Sequence, residues 1–272
     1  MSNIKNNTEE GVSFVPQHDP GLQATPLRES LFLRSLWVSY ALASYLIAIL
    51  GVTYFILFIS DLFIPVTVNS GPFDGSILSA FAVNLGLLLL FGLQHSVMAR
   101  PKFKHWLTRY IDPSIERATY CLGTGLVIGF MCCAWQPMQG EVWSLDSTLA
   151  TGGIRAIAVF GWVIMLIATF NIDHFELFGL RQVYTKFVGK PMPETVFKMV
   201  GLYKWVRHPI QTGLLIGMWA VPQASLSYLM LATGMTVYIF VGLYFEEQDL
   251  IAEFGQTYRD YKQKVAKVFP FI

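Results

Sequence analysis

From about Leu36 to Ile64 the chain is almost continuously apolar, which is more than the roughly 20 residues a helix needs to cross a bilayer's hydrocarbon core. Three further runs, at about 77–99, 118–137 and 154–172, have the same character. No soluble core hides four such segments, and the composition agrees: 54% of residues are hydrophobic and 14% charged. The reading is an all-α fold, a polytopic integral membrane helical bundle. The net charge of +1 argues neither for nucleic acid nor for an acidic partner. Cys121, Cys132 and Cys133 fall in one apolar run without CxxC spacing and read as small hydrophobes.

Taken in order, residues 1–30 are polar, without the apolar core of a signal peptide, and read as a mobile cytosolic tail. The stretch DHFELFGLRQVYTKFVGKPM, 173–192, alternates aromatic and charged residues at helical spacing, as an interfacial segment does. Two apolar arms, about 205–221 and 228–245, are broken by PQASLS into a hairpin, and both are short for a full crossing. Beyond them Leu250, Phe254, Tyr258, Tyr261 and Val265 form the stripe of a cytosolic amphipathic helix. The loops after the first and third runs hold only Arg155 among their flanking cations, and every other Lys and Arg lies on the opposite side. The positive-inside rule therefore puts both termini in the cytosol, with four long spans plus the hairpin. Residues 31–272 read as a single membrane domain. No inverted repeat of the transporter kind is visible.

Polar groups at membrane depth are expensive and are site candidates by default. Four groups qualify: Gln94-His95-Ser96, Asp173-His174-Phe175-Glu176, Arg207-His208-Pro209 and Glu246-Glu247. A lone His95 could simply cap a carbonyl, and the 173–176 group could be a solvated face. The last two groups stand at the two feet of the hairpin. Adjacent carboxylates beside an apolar run need a cation, and the hairpin's own Arg207 and His208 match them. The five histidines lack metal-ligand spacing, so no metal is expected.

GLYKWVRHPIQTG, followed by FEEQDLIAEFGQTYRDYKQKVAKVFP, resembles the C-terminal half of the isoprenylcysteine carboxyl methyltransferase-like membrane enzymes. LFGLQHSVMARPKFKHWLTRYIDPSIERATY and NIDHFELFGLRQVYTKFVGKP resemble the methanethiol S-methyltransferase branch, close to the NnrU-type proteins. The similarity runs from about Trp37 to Pro270. It implies S-adenosylmethionine as methyl donor, a small thiol as acceptor, and a multi-pass protein of the bacterial inner membrane. It also implies that the hairpin and C-terminal helix, 201–268, hold the donor through Tyr203, Arg207, His208, Glu246 and Glu247. Gly213 would let backbone approach the ligand, and Arg207 would fork a carboxylate. On the acceptor side the candidates are His174 and His95 as bases, Asp173 or Glu176 polarising His174, and Gln94, Arg181 and Gln182 lining the pocket. The chain departs from the pattern at Gln211, where Tyr is common, and at Asp173, which adds a carboxylate. Other readings are methylation of an isoprenylcysteine carboxylate or a phospholipid amine, a nicotinamide-dependent reductase, and a transporter or scaffold.

Overall fold

The structure is a computed structural model that describes residues 30–71, 75–191 and 196–270; the tail expected at 1–30 lies outside the described residues but for Ser30. The helices are α1 (Leu31–Ser60), α2 (Ile77–Ala99), α3 (Pro101–Leu107), α4 (Glu116–Ala134), α5 (Thr148–Ile172), α6 (His174–Leu177), α7 (Leu180–Phe187), α8 (Pro209–Trp219), α9 (Leu226–Phe254) and α10 (Gln256–Lys264). α1, α2, α5, α9 and α4 with its preceding 3-10 turn are long and apolar enough to cross a membrane, so this is a multi-pass membrane protein. Four of these helices start on serine. Ser30, Ser76, Ser147 and Ser225 each accept the N–H three residues on, at 3.0–3.4 Å.

The terminal hairpin differs from its expected form of two short arms. α8 has 11 residues, whereas α9 has 29 and is a full span. The Trp219 indole donates to Thr236 at 2.9 Å, well into α9, so α8 stops short of the hairpin's tip. Extended backbone joins the two helices there. Gln223–Ser225 forms a strand, β2, antiparallel to β1 (Glu141–Ser144) between α4 and α5. Leu145 N–H to Pro222 O (3.0 Å), Leu226 N–H to Gly140 O (2.9 Å) and the Trp143 indole to Val221 O (3.2 Å) satisfy the flanking backbone. Extended chain is tolerated in such a place only when its polar groups are paired in this way. The sequence reading held no strands, and it continued one stripe from Leu250 to Val265. That stripe is broken at Gly255, whose φ of 57° ends α9, but its residues still pack together with Phe197.

Small residues set the closest helix contacts. A Cβ on Gly213 of α8 would stand 2.5 Å from Gly161 O and Met165 N of α5, and one on Gly217 would stand 2.5 Å from the Trp162 ring. α1 and α4 meet likewise at Gly51 and Gly125. Bare backbone lets helices close on one another where lipid gives no hydrophobic drive between them. Gly213 therefore serves a helix–helix approach, and its open side is filled by α5. The donor contact expected of it has no room on that side.

Candidate functional site

Pro209 is the first residue of α8 and forces His208 out of the helical region, to φ −128°, ψ 63°. The freed backbone finds a partner in the chain's end. Val206 bridges to Ala266 in parallel fashion, Arg207 N–H donates to Ala266 O (2.8 Å), and His208 N–H donates to Lys267 O (3.1 Å). Thr212 Oγ1 adds a bond to Val268 O at 2.5 Å. The C-terminal segment is thus stitched to the mouth of the hairpin, and it carries Lys262 and Lys267 there.

Glu247 is the hub, with 3% of its surface exposed. Its Oε1 accepts from Arg207 Nε and lies 2.8 Å from both Nε and Nη2, with His208 Nε2 at 3.3 Å. Its Oε2 faces Lys262 Nζ at 2.9 Å and Lys267 Nζ at 3.9 Å. His208 must carry its hydrogen on Nε2 to meet this carboxylate. Arg207 Nη1 donates to Lys262 O at 3.0 Å and also to Val265 O. The expectation that Arg207 and His208 face the glutamate pair across two helix feet matches this geometry. The fork expected for a ligand carboxylate does not, because Arg207 spends its donors on Glu247 and on the end of α10. Glu246 is the opposite case. Its side chain is 48% exposed, and the nearest nitrogen facing it is His208 Nδ1 at 3.9 Å. Among the described residues its carboxylate accepts no hydrogen bond. Tyr203, on the 3-10 turn Gly201–Lys204, lies within reach of its charge; burial first, then Glu246, pushes the Tyr203 phenol well above its usual range. The Tyr261 hydroxyl holds this turn by donating to Tyr203 O at 2.6 Å.

The acceptor-side candidates separate into three arrangements. His174 is buried, with Nδ1 2.8 Å from Thr169 Oγ1 and Nε2 3.0 Å from the Tyr45 hydroxyl. Its ring stacks on Phe170 at 4.4 Å, and Phe175 and Phe178 surround it. Burial pushes its pKa down. Neither Asp173 nor Glu176 polarises it. Asp173 instead pairs with Arg181 and accepts from Glu176 N–H at 3.0 Å, capping α6 from a left-handed φ of 124°. Gln182 Nε2 donates to Glu176 O at 3.0 Å and Arg181 lies 3.7 Å from the Glu176 carboxylate, so these four residues close a clamp between α6 and α7. Asp173, Phe175, Leu180, Arg181 and Tyr184 line an open groove of about 420 Å³ beside it.

His95 stands elsewhere, between α2, α4 and α9. Its Nδ1 is 3.1 Å from Thr124 Oγ1 and its Nε2 2.6 Å from the Tyr120 hydroxyl; Phe91 stacks on one side and Tyr238 meets it edge-on. Ser96 donates to the Tyr238 hydroxyl at 3.3 Å, while Gln94 donates to Met98 Sδ at 3.1 Å and leaves its buried Oε1 without a partner among the described residues. Gln211, on the first turn of α8, makes no side-chain hydrogen bond among the described residues.

Four residues here were not singled out from the sequence. Lys262 and Lys267 carry no signal except their place in the quoted C-terminal motif. Arg117 and Tyr120 do carry one: their spacing of three puts them on one face of α4, with Thr124 one turn further on. Arg117 Nε donates to Leu177 O at 2.8 Å, and its guanidinium lies 5.0 Å from the centre of the Tyr120 ring.

The chain is 42% identical over 238 residues to a methanethiol S-methyltransferase of Mycobacterium tuberculosis, covering 88% of this chain and 97% of that one. It is 39% identical over 254 residues to methanethiol S-methyltransferase 1 of Bradyrhizobium diazoefficiens, covering 93% and 88%. Nurim of Sus scrofa is 32% identical over 188 residues, 65% of this chain and 70% of that protein. No family model matches the chain, and no solved structure matches it.

Proposed function

The chain belongs to the methanethiol S-methyltransferase family, and from that premise we propose that it methylates methanethiol to dimethyl sulfide with S-adenosylmethionine as donor. The observation that carries the reading is the contrast between neighbours: Glu247 is consumed by Arg207, His208 and Lys262, while Glu246 beside it is half exposed and has no hydrogen bond among the described residues. A carboxylate left free at the edge of a cationic cluster fits a ligand that carries positive charge as well as polar groups. S-adenosylmethionine supplies a methyl group on a sulfonium, already a good leaving group.

The protein's task is then placement and exclusion of water. Glu246 draws the cationic part of the donor. Tyr203 and His208 flank it, and Arg207, Glu247 and Lys262 hold His208 and the C-terminal segment rigid behind them. Residues 31–272 act as one membrane domain, with 201–268 the donor-holding part. Both termini face the cytosol, on the side where a soluble donor arrives. The thiol comes from the bundle side, where α2, α4 and α9 meet.

The test is purified protein in nanodiscs, given methyl-labelled donor and methanethiol, with labelled dimethyl sulfide measured in the headspace. Label in the headspace that depends on both substrates supports the reading. Donor binding without thiol methylation would contradict it.

A further inference from the structure

The His95 cluster has a fixed hydrogen-bond direction. Thr124 Oγ1 has one hydrogen, and it is given to Tyr120 O at 3.0 Å. The threonine oxygen then accepts from His95 at 3.1 Å with the imidazole hydrogen on Nδ1, the direction that also gives the Tyr120 hydroxyl an acceptor. Nε2 is then a bare acceptor, and the contact of 2.6 Å with Tyr120 is a phenol O–H donated to it. The Tyr120 oxygen is left with lone pairs, no second hydrogen, and no other partner among the described residues.

Charge around this oxygen distinguishes it from an ordinary buried tyrosine. Arg117 lies over its ring, is tied in place through Leu177 O, and makes no ion pair among the described residues. Cys121 on the same helix, and Tyr238 and Glu246 on α9, are the other titratable groups that act on Tyr120. His95 stands one turn before the end of α2, where Arg100 pairs at 3.0 Å with Asp249 of α9, three residues from Glu246, so the phenol belongs to the same end of the bundle as the free carboxylate. The second histidine supplies an internal comparison. Thr169 spends its hydrogen on Leu166 O at 2.7 Å, accepts from His174 Nδ1 at 2.8 Å, and leaves Nε2 to Tyr45 at 3.0 Å. The same Thr–His–Tyr relay occurs twice, but among the described residues no cation lies over the Tyr45 ring.

Resting on the methyl-transfer reading above, we infer that Tyr120 is the catalytic residue that receives the acceptor thiol's proton, with His95 and Thr124 as positioning residues behind it and Arg117 facing the developing thiolate. The thiol S–H proton passes to the Tyr120 oxygen as Tyr120's own proton passes to His95 Nε2. The electron pair of the broken S–H bond stays on sulfur and forms the new S–CH3 bond. The pair of the old sulfonium–methyl bond leaves with the donor's sulfur as a neutral thioether. His95 becomes an imidazolium held between Thr124 and Tyr120, and it returns the proton through Tyr120 to water as products leave. A small alkyl thiol is mostly protonated at neutral pH, so this transfer matters most there.

The experiment measures turnover of methanethiol from pH 7 to pH 10, with donor binding in parallel, for the full-length protein in nanodiscs. Tyr120→Phe is expected to lower kcat about 100-fold at pH 7. The deficit should shrink to below about tenfold at pH 10, where solution supplies the thiolate, with donor Kd unchanged. Thr124→Val should lose about tenfold at pH 7 while Thr124→Ser restores it. This pair carries the test if Tyr120→Phe fails to bind donor. A Tyr120→Phe enzyme within threefold of wild type at pH 7, or one with the same deficit at every pH, overturns the assignment. So does a Thr124→Val enzyme with wild-type turnover at pH 7. If wild type binds donor but methylates no thiol at any pH, the methyl-transfer reading fails, and this inference with it.

Discussion

Arg207 and Glu247 meet at 2.8 Å across the feet of α8 and α9, both nearly buried, and this pair ties the C-terminal segment to the hairpin. Arg207 cannot release Glu247 without losing its own charge compensation. Removing one partner of a buried pair typically costs about 3–5 kcal/mol, because the other charge stays behind in low dielectric. Glu247→Gln is therefore expected to lower thermal stability in detergent by an amount in that range. A melting temperature equal to wild type would show that Arg207 finds another partner.

His174 has both ring nitrogens satisfied and four aromatic neighbours, so its replacement should affect the fold more than the chemistry. His174→Gln is expected to keep kcat within a few-fold while losing about 1–3 kcal/mol of stability, the cost of a buried hydrogen-bond group left unmet. Loss of turnover by several hundredfold at normal stability would restore the base role first expected from the sequence.

A Cβ added at Gly213 would stand 2.5 Å from the backbone of α5. Gly213→Ala is expected to cost about 1–3 kcal/mol by overpacking. Donor affinity, read in the fraction that remains folded, should not change. A stable Gly213→Ala protein with weak donor binding would return the glycine to the ligand.

Asp112 gives a pH signature outside the membrane. Burial alone would raise its carboxyl, but the Lys186 ammonium at 2.7 Å and the Ser114 hydroxyl and N–H outweigh it and hold the group below its ordinary value. A carboxyl depressed in the folded state adds stability above its unfolded value of about 3.9, and that stability is lost as pH falls through the folded value. Melting temperature should thus drop more on acidification below about pH 4 in wild type than in Asp112→Asn. Parallel curves would rule out the linkage.

The bundle was legible because its spans are long apolar runs, and the charged cluster at the hairpin's feet because charges at a span's foot demand partners. Arg207, His208, Glu246 and Glu247 come together as their spacing suggested. Their division of labour was not legible. Which glutamate is consumed depends on where α10 delivers Lys262, a contact between segments with no periodic signal. The asymmetric hairpin was hidden for a similar reason, since the extended 220–225 segment is stable only because β1, far back in the chain, pairs with it. Gly213 read as a ligand contact because a glycine beside a motif looks alike whether it meets a ligand or another helix.

The central claim is that Glu247 holds the fold while Glu246 meets the donor. Donor Kd for Glu246→Gln, measured by equilibrium binding alongside its melting temperature, tests this most directly. A lost charge-assisted contact of about 1.5–3 kcal/mol corresponds to affinity weakened about 10- to 150-fold, with the melting temperature unchanged. Wild-type donor affinity in Glu246→Gln would contradict the claim.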